Sequence, residues 1–174
     1  MIVVVLDACF LILLRDTGRL NLLGMVSEPM DWCYYVPEAV YLEATARMSE
    51  GSAVEQLVEG GVVNRCVAPD ASCNNLSARY PRLGRGEVEA LAYALTEKDR
   101  GEEVLVVSDD GMAEKAAERL GLEIVSTLDF LGNCHVSGVM SGDEVRGYLP
   151  LLKSRNFEVK EEELRRFLAS LGPV

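Results

Sequence analysis

Two stretches of the chain are apolar without alternation, and both end in acid. Ile2 to Leu6 is an aliphatic, mostly β-branched run that stops at Asp7, and Glu103 to Val107 stops at Ser108-Asp109-Asp110. Such runs predict strands buried on both faces, as in parallel sheets. Shorter strand candidates are Tyr34 to Val36, Val62-Val63 and Glu123 to Val125. Between them the pattern turns helical: from Ala8 until Arg15-Asp16-Thr17-Gly18 breaks it, over a short piece from Leu20 to Val26, from Pro37 to about Met48, and from Ala53 to Glu59. Pro37 suits a helix start, where its missing N–H has no partner to lose. Helices are also expected over Arg85 to Lys98, where Val88, Leu91, Ala92 and Leu95 share a face, over Met112 to Leu120, closed by Gly121, and over Thr127 to Cys134. Ala68 to Gly84 is polar, with two prolines and adjacent asparagines, and predicts a loop. After Ser141 two amphipathic helices are expected, Asp143 to Lys153 and Lys160 to Leu171.

Short buried strands alternating with helices imply an α/β fold, a three-layer α/β/α arrangement around a central parallel sheet. A length of 174 residues with 49 % apolar content suits one core. The expected organisation is a domain over residues 1–140 and a helical C-terminal extension, residues 141–174, packed on it. Five cysteines without a C-x-x-C pair argue against a zinc knuckle, and Cys66 and Cys73 leave a disulfide open. The apolar stretch Met1 to Leu14 is broken by Asp7, is too short for a bilayer and lacks a signal peptide's basic start, so a cytoplasmic protein is expected. Charge narrows the picture further. With 17 basic and 28 acidic residues the net charge is −11, which argues against nucleic-acid binding through a broad basic face. It leaves open a nucleic-acid enzyme whose positive charge arrives as bound metal.

In open α/β sheets ligands bind at the carboxyl ends of the strands. Asp7 and the Asp109-Asp110 pair are delivered to that edge. One such aspartate alone reads equally as a helix cap; two strands bringing acid to one edge point to a shared site. One of Asp109 and Asp110 can then cap the helix beginning near Gly111 while the other faces the cleft. Glu43, inside the helix after Pro37, reads by itself as a surface acid. Glu87 and Glu89 open a helix, where the macrodipole favours negative charge. Arg79, Arg82 and Arg85 lie just upstream of Glu87 and are candidates for contacts to phosphates, against the plainer reading of a solvated charged loop. His135 has no nucleophile pattern around it, and Arg165-Arg166 reads as surface.

The order of motifs adds more than any one of them. The chain runs V-V-V-L-D-A from Val3, V-P-E-A-V-Y-L-E from Val36, L-G-R-G-E-V-E-A-L-A from Leu83, V-L-V-V-S-D-D-G-M-A from Val104 and G-L-E-I-V-S-T-L-D-F-L from Gly121. In this it resembles PIN domains over almost its whole length, and within them a prokaryotic subgroup described as nucleic-acid-binding. The resemblance implies a metal-dependent ribonuclease, a toxin held by a cognate antitoxin. It implies Asp7, Glu43, Glu87 and Asp110 as catalytic and metal-binding acids, with Asp109 a close second to Asp110. Ser108 stands where a small hydroxyl residue supports the site and is carried as a substrate-side candidate with Arg82 and Arg85. Cys9 departs from the pattern, which often has serine there.

The chemistry fits that implication. Phosphodiester hydrolysis needs an activated water and neutralisation of a charged transition state, and converging carboxylates holding Mg²⁺ or Mn²⁺ supply both. Hard oxygen ligands suit these ions, so no His or Cys is required. The expected partners are an RNA substrate, an antitoxin protein and a second copy of the chain, with no membrane. A haloacid-dehalogenase phosphatase needs an aspartate where Cys9 stands, and a response-regulator receiver needs an early acidic pair and a late strand-end lysine, both missing here. The weightier alternative is a noncatalytic PIN-like module that binds nucleic acid or protein; retention of every matching acid favours the enzyme.

Overall fold

The computed structural model describes residues 1–46, 52–155, 157 and 159–172. In chain order the elements are β1 (Ile2–Leu6), α1 (Ala8–Asp16), α2 (Asn21–Met30), β2 (Trp32–Pro37), α3 (Glu38–Thr45), α4 (Ala53–Glu59), β3 (Val63–Cys66), α5 (Asp70–Arg79), α6 (Arg85–Asp99), β4 (Val104–Val107), α7 (Gly111–Leu120), β5 (Glu123–Val125), α8 (Thr127–Val136), α9 (Gly142–Lys153) and α10 (Glu161–Ser170). The strands form one sheet in the order β3-β2-β1-β4-β5, every pair parallel. The order reverses at β1, between β2 and β4, which makes the carboxyl edge of β1 and β4 the topological switch point.

β1 is central because both its faces are apolar. Val4 and Leu6 point into a core shared with Phe10, Leu14, Phe130 and Leu152, while Val3 and Val5 join Val88, Leu91, Val106 and Ala117 on the opposite face. The period of two along one strand thus separates the helices into two layers, with α1, α2, α8 and α9 against α5, α6 and α7. Phe10 is fully buried edge-on to Phe130, ring centroids 4.9 Å apart, so Phe10→Ala removes about 3–5 kcal/mol of packing. α9 adds Val145, Tyr148, Leu149 and Leu152 to the first core, and α10 lies against it through Leu164, Phe167 and Leu168. Gly121, at φ +67°, ends α7 in the left-handed conformation that glycine adopts without a Cβ clash.

Two local expectations change, and a third reaches outside the described residues. The polar stretch read as a loop contains α5, whose single buried residue is Leu76; it docks on α6 with too little apolar periodicity to announce itself. β2 begins at Trp32 rather than Tyr34, because the left-handed Asp31 (φ 54°) ends α2 and turns the chain straight into the sheet. α3 ends at Thr45, and the expected extension to Met48 falls outside the described residues. Cys66 and Cys73 are free thiols.

Candidate active site

The ladder between β1 and β4 continues one step past the strands. The Asp7 N–H donates to the Val107 carbonyl at 3.1 Å, and the Ser108 N–H donates to the Val125 carbonyl at 3.1 Å. These bonds set Asp7 and Ser108 side by side at the switch point. The Ser108 hydroxyl donates to Asp7 Oδ2 at 2.9 Å and accepts from the Asp110 N–H at 3.2 Å. Asp7 Oδ1 accepts from the Ala8 N–H at 2.6 Å, so this carboxylate also caps α1. Asp7 is 2 % exposed and Ser108 3 %. This hydroxyl, a substrate-side candidate by sequence, is donated to Asp7 and holds that carboxylate in place.

Two glutamates on different helices bear on this point through their charge. In α3, Val40 and Ala44 face the core, and Glu43 lies on the flank of that stripe toward α6. A guanidinium hydrogen bond from Arg15 to the Ala44 carbonyl, 2.6 Å, ties the end of α3 to α1. Buried Gly86 lets α6 come close, since a Cβ there would lie 3.4 Å from Val40 Cγ2 and 3.6 Å from Glu43 Oε2. Glu87, in the first turn of α6, folds its carboxylate over Gly84, in space that a side chain at that position would take. Both glutamates act electrostatically on Asp7. Burial, then the charges of Glu87 and Glu43, push the Asp7 carboxyl up to about 6 from an ordinary 3.8, with the hydrogen bonds from Ser108 and Ala8 opposing the rise. Cys9, exposed one step along α1, feels the same field: burial of its sulfur and the charges of Asp7, Glu43, Glu87 and Asp110 push its thiol up to about 11.

Two neighbours of these acids have other duties. Asp109 turns to α8, accepting from the Thr127 N–H at 2.8 Å and from the Thr127 hydroxyl. Partial dehydration raises its pKa, and the Thr127 bonds oppose that. Asp109, the second candidate beside Asp110, thus has its carboxylate engaged by the start of α8. Asp110 caps α7 through Oδ1, accepting from Met112 and Ala113 N–H at 2.8 Å each, while its charge still reaches Cys9. On α6, Glu89 differs from Glu87: its Oε2 accepts from the Ala39 N–H at 2.8 Å and its Oε1 from Arg85 Nε at 2.9 Å. That clamp of α6 onto the start of α3 was missed, because its signal lies fifty positions away. Arg85, a candidate for phosphate contact, pairs its exposed guanidinium with Glu89. Arg82 lies in a separate groove with Arg79.

The donor set suits a hard divalent cation, all oxygen and all anionic. The raised Asp7 carboxyl, disfavoured as an anion first by burial and then by the charges of Glu87 and Glu43, is one that a nearby cation would stabilise. The side chains do not enclose one: among the described residues no three His, Cys, Asp or Glu groups are gathered closely enough to hold a metal ion.

A family model described as a PIN domain matches residues 3–173. The chain belongs to the PIN-domain family. No curated protein matches it significantly. The PIN assignment makes this a nuclease-like fold, in a family whose members are generally nucleases and typically use divalent metals. The all-parallel sheet with helices on both faces agrees with the three-layer expectation. Among the described residues no helix is long and apolar enough to cross a membrane.

Proposed function

We propose that this PIN protein is an Mg²⁺- or Mn²⁺-dependent endoribonuclease whose catalytic centre is Asp7, Glu43, Glu87 and the oxygen of Asp110 not used in capping α7. The observation that carries the reading is Asp7: a buried carboxyl at the switch point, oriented by Ser108 and Ala8, with two further carboxylates bearing on it. Asp7, Glu43, Glu87 and Asp110 would hold the ion, which when bound supplies a water of lowered pKa and neutralises charge developing on the scissile phosphate. Ser108 keeps Asp7 in one rotamer, so that its free lone pairs point the same way in every turnover. Arg15 and the Glu89–Ala39 clamp fix α3 and α6 relative to α1, and so fix the separation of the three carboxylates.

The competing reading is a binding module of PIN architecture. The open spacing of the acids favours it, while the retained set of four and the strained protonation of Asp7 favour the enzyme. The proposal extends to an antitoxin that presents an Arg or Lys to the same carboxylates, and to pairing of two copies, readable by light scattering at micromolar concentration.

The deciding experiment incubates purified protein with single-stranded and structured RNA in Mg²⁺, Mn²⁺ or EDTA, with Asp7→Asn and Glu87→Gln controls. Cleavage that needs the metal and disappears in both variants is the expected result. Cleavage unchanged in either variant refutes the site.

A further inference from the structure

The chain is strongly acidic, yet one surface is not. An open groove of about 320 Å³ lies between the end of α5 and α7, and its lining holds Arg79, Arg82, Lys115 and Arg119, with Tyr80 and Met112 among them. No acidic residue lines it among the described residues. On α7 the contributing positions Met112, Lys115, Ala116 and Arg119 are spaced i, i+3, i+4 and i+7, so they form one helix face. Lys115 and Arg119 are exposed, as are Arg79 and Arg82. None of the four donates to a carboxylate among the described residues, while Arg15, Arg65, Arg85, Arg100, Arg146 and Arg165 all do. Arg79 stands over the Tyr80 ring at 5.3 Å, and the buried Tyr80 hydroxyl makes no hydrogen bond. Four neighbouring cations with no acid in their groove make a local positive field on an otherwise acidic protein, suited to an anionic ligand.

The groove also has a direction. Leu83 at its edge immediately precedes Gly84 and the turn carrying Glu87, and Met112 follows the Asp110 cap. One end therefore adjoins the carboxylate centre and the other leads away along α7. From Met112 to Arg119 the helix advances about 10 Å, roughly three phosphates of a stacked strand.

We propose that this groove binds the phosphate backbone of the single-stranded RNA flanking the scission point, with Tyr80 and Met112 offering apolar surface to a base. The inference rests on the nuclease reading for what occupies the groove. It assigns substrate affinity to a surface apart from the catalytic acids, which by themselves repel RNA. Affinity is built at Arg79, Arg82, Lys115 and Arg119, and chemistry at Asp7.

The test is fluorescence anisotropy of a labelled, all-2′-deoxy decanucleotide in EDTA, which reads binding with neither metal nor cleavage. Wild-type protein is expected to bind, and Lys115→Gln/Arg119→Gln or Arg79→Gln/Arg82→Gln to weaken binding at least tenfold. Each pair should flatten the log–log salt dependence by about 1.4, at about 0.7 per lost phosphate contact. Lys115→Arg/Arg119→Lys should retain binding, and Arg165→Gln/Arg166→Gln on α10 should leave it within twofold. An unchanged affinity and salt slope in both groove pairs overturns the proposal, whatever the cleavage assay shows. So does loss of poly-glutamate binding with oligonucleotide binding intact, which would give the groove to an acidic protein. Loss of binding in the groove pairs with no metal-dependent cleavage by wild type would keep the groove and sink the nuclease reading instead.

Discussion

Asp7 and Asp109 are the same residue type in nearly the same place, each just beyond the carboxyl end of a central parallel strand. Their surroundings make them opposites. Asp109 meets the start of α8, where the Thr127 N–H and hydroxyl both point at its carboxylate. Asp7 meets two donors as well, but also Glu43 and Glu87, and its charge is left unbalanced. A strand-end acid whose partners satisfy it is part of the scaffold. Both carboxyls are raised by burial, but only Asp7 also carries the charges of two neighbouring glutamates, which a cation would relieve. Glu89 and Glu87, two positions apart on α6, differ in the same way: the first is shared between Arg85 and the Ala39 N–H, and the charge of the second acts on Asp7.

The largest way to break this comparison is through activity. Asp7→Asn should lower RNA cleavage by at least about a thousandfold, as expected when several kcal/mol of charge stabilisation is lost. Asp109→Asn should leave the rate within about tenfold. Equal losses in the two variants, measured as kcat/KM on one RNA, would erase the distinction.

Stability should move in opposite directions. A carboxyl held at about 6 against an ordinary 3.8 opposes folding at neutral pH by about 3 kcal/mol. Asp7→Asn should therefore stabilise the protein at pH 7 by about 2 kcal/mol, less than the full amount because its charge-assisted hydrogen bonds weaken. Asp109→Ala should destabilise by about 1 kcal/mol, since it strips two donors of Thr127, a residue fully buried, of their acceptor. Urea unfolding of both variants reads the signs directly.

The same imbalance fixes the pH dependence. Between about pH 4 and 6 the folded protein keeps the Asp7 proton that the unfolded chain has already lost, so the folded state binds more protons and stability falls as pH rises through that window. Above about pH 6 the penalty is complete and flat. Mg²⁺ or Mn²⁺ should offset it, raising Tm above about pH 6 and doing little near pH 4, where the proton already holds the site. A metal effect on Tm equal at both pH values, or lost in Asp109→Asn but kept in Asp7→Asn, would count against the assignment.

Much of this was legible in the sequence because the determinants are local. β1 and β4 are apolar on both faces, and such strands can only be interior, so the sheet and its acidic edge followed. Glu43 and Glu87 become candidates only through the order of motifs, since a helix-surface glutamate carries no local mark of its partners. What stays hidden is non-local. Asp109 and Asp110 are adjacent and equally able to cap α7, and the choice was made by Thr127, 18 positions on. Ser108 looked available because nothing nearby shows that Asp7, 101 positions earlier, takes its hydroxyl. α5 escaped notice because its stability comes from docking against α6, with Leu76 alone fully inserted.

A smaller perturbation tests whether the position of the Glu87 carboxylate matters apart from its charge. Gly84 has φ −71°, which alanine adopts without strain, but a Cβ there would collide with Glu87 Oε2. The end of a flexible side chain is what must yield, so Gly84→Ala should change Tm little while lowering cleavage about tenfold. An unchanged rate would show that Glu87 works equally well from another rotamer.

The smallest expected effect is at Cys9, and it probes the field of the acids rather than their ligation. Its thiol, held at about 11 by burial and by the carboxylates of Asp7, Glu43, Glu87 and Asp110, is neutral at any working pH. Cys9→Ser therefore exchanges one neutral, weakly hydrogen-bonding group for another, and should shift kcat/KM by no more than about threefold. The wild-type thiol reports more. At pH 8 its thiolate fraction is about a hundredfold below that of a thiol at the ordinary 9.0, so iodoacetamide should modify it slowly although it is exposed. Asp7→Asn removes the largest of the charges acting on that sulfur and should speed alkylation, whereas Asp109→Asn, whose carboxylate is turned toward Thr127, should not. Equal acceleration in both variants would mean that the two strand-end aspartates share one electrostatic environment, and the division between scaffold and site drawn from their hydrogen bonds would be wrong.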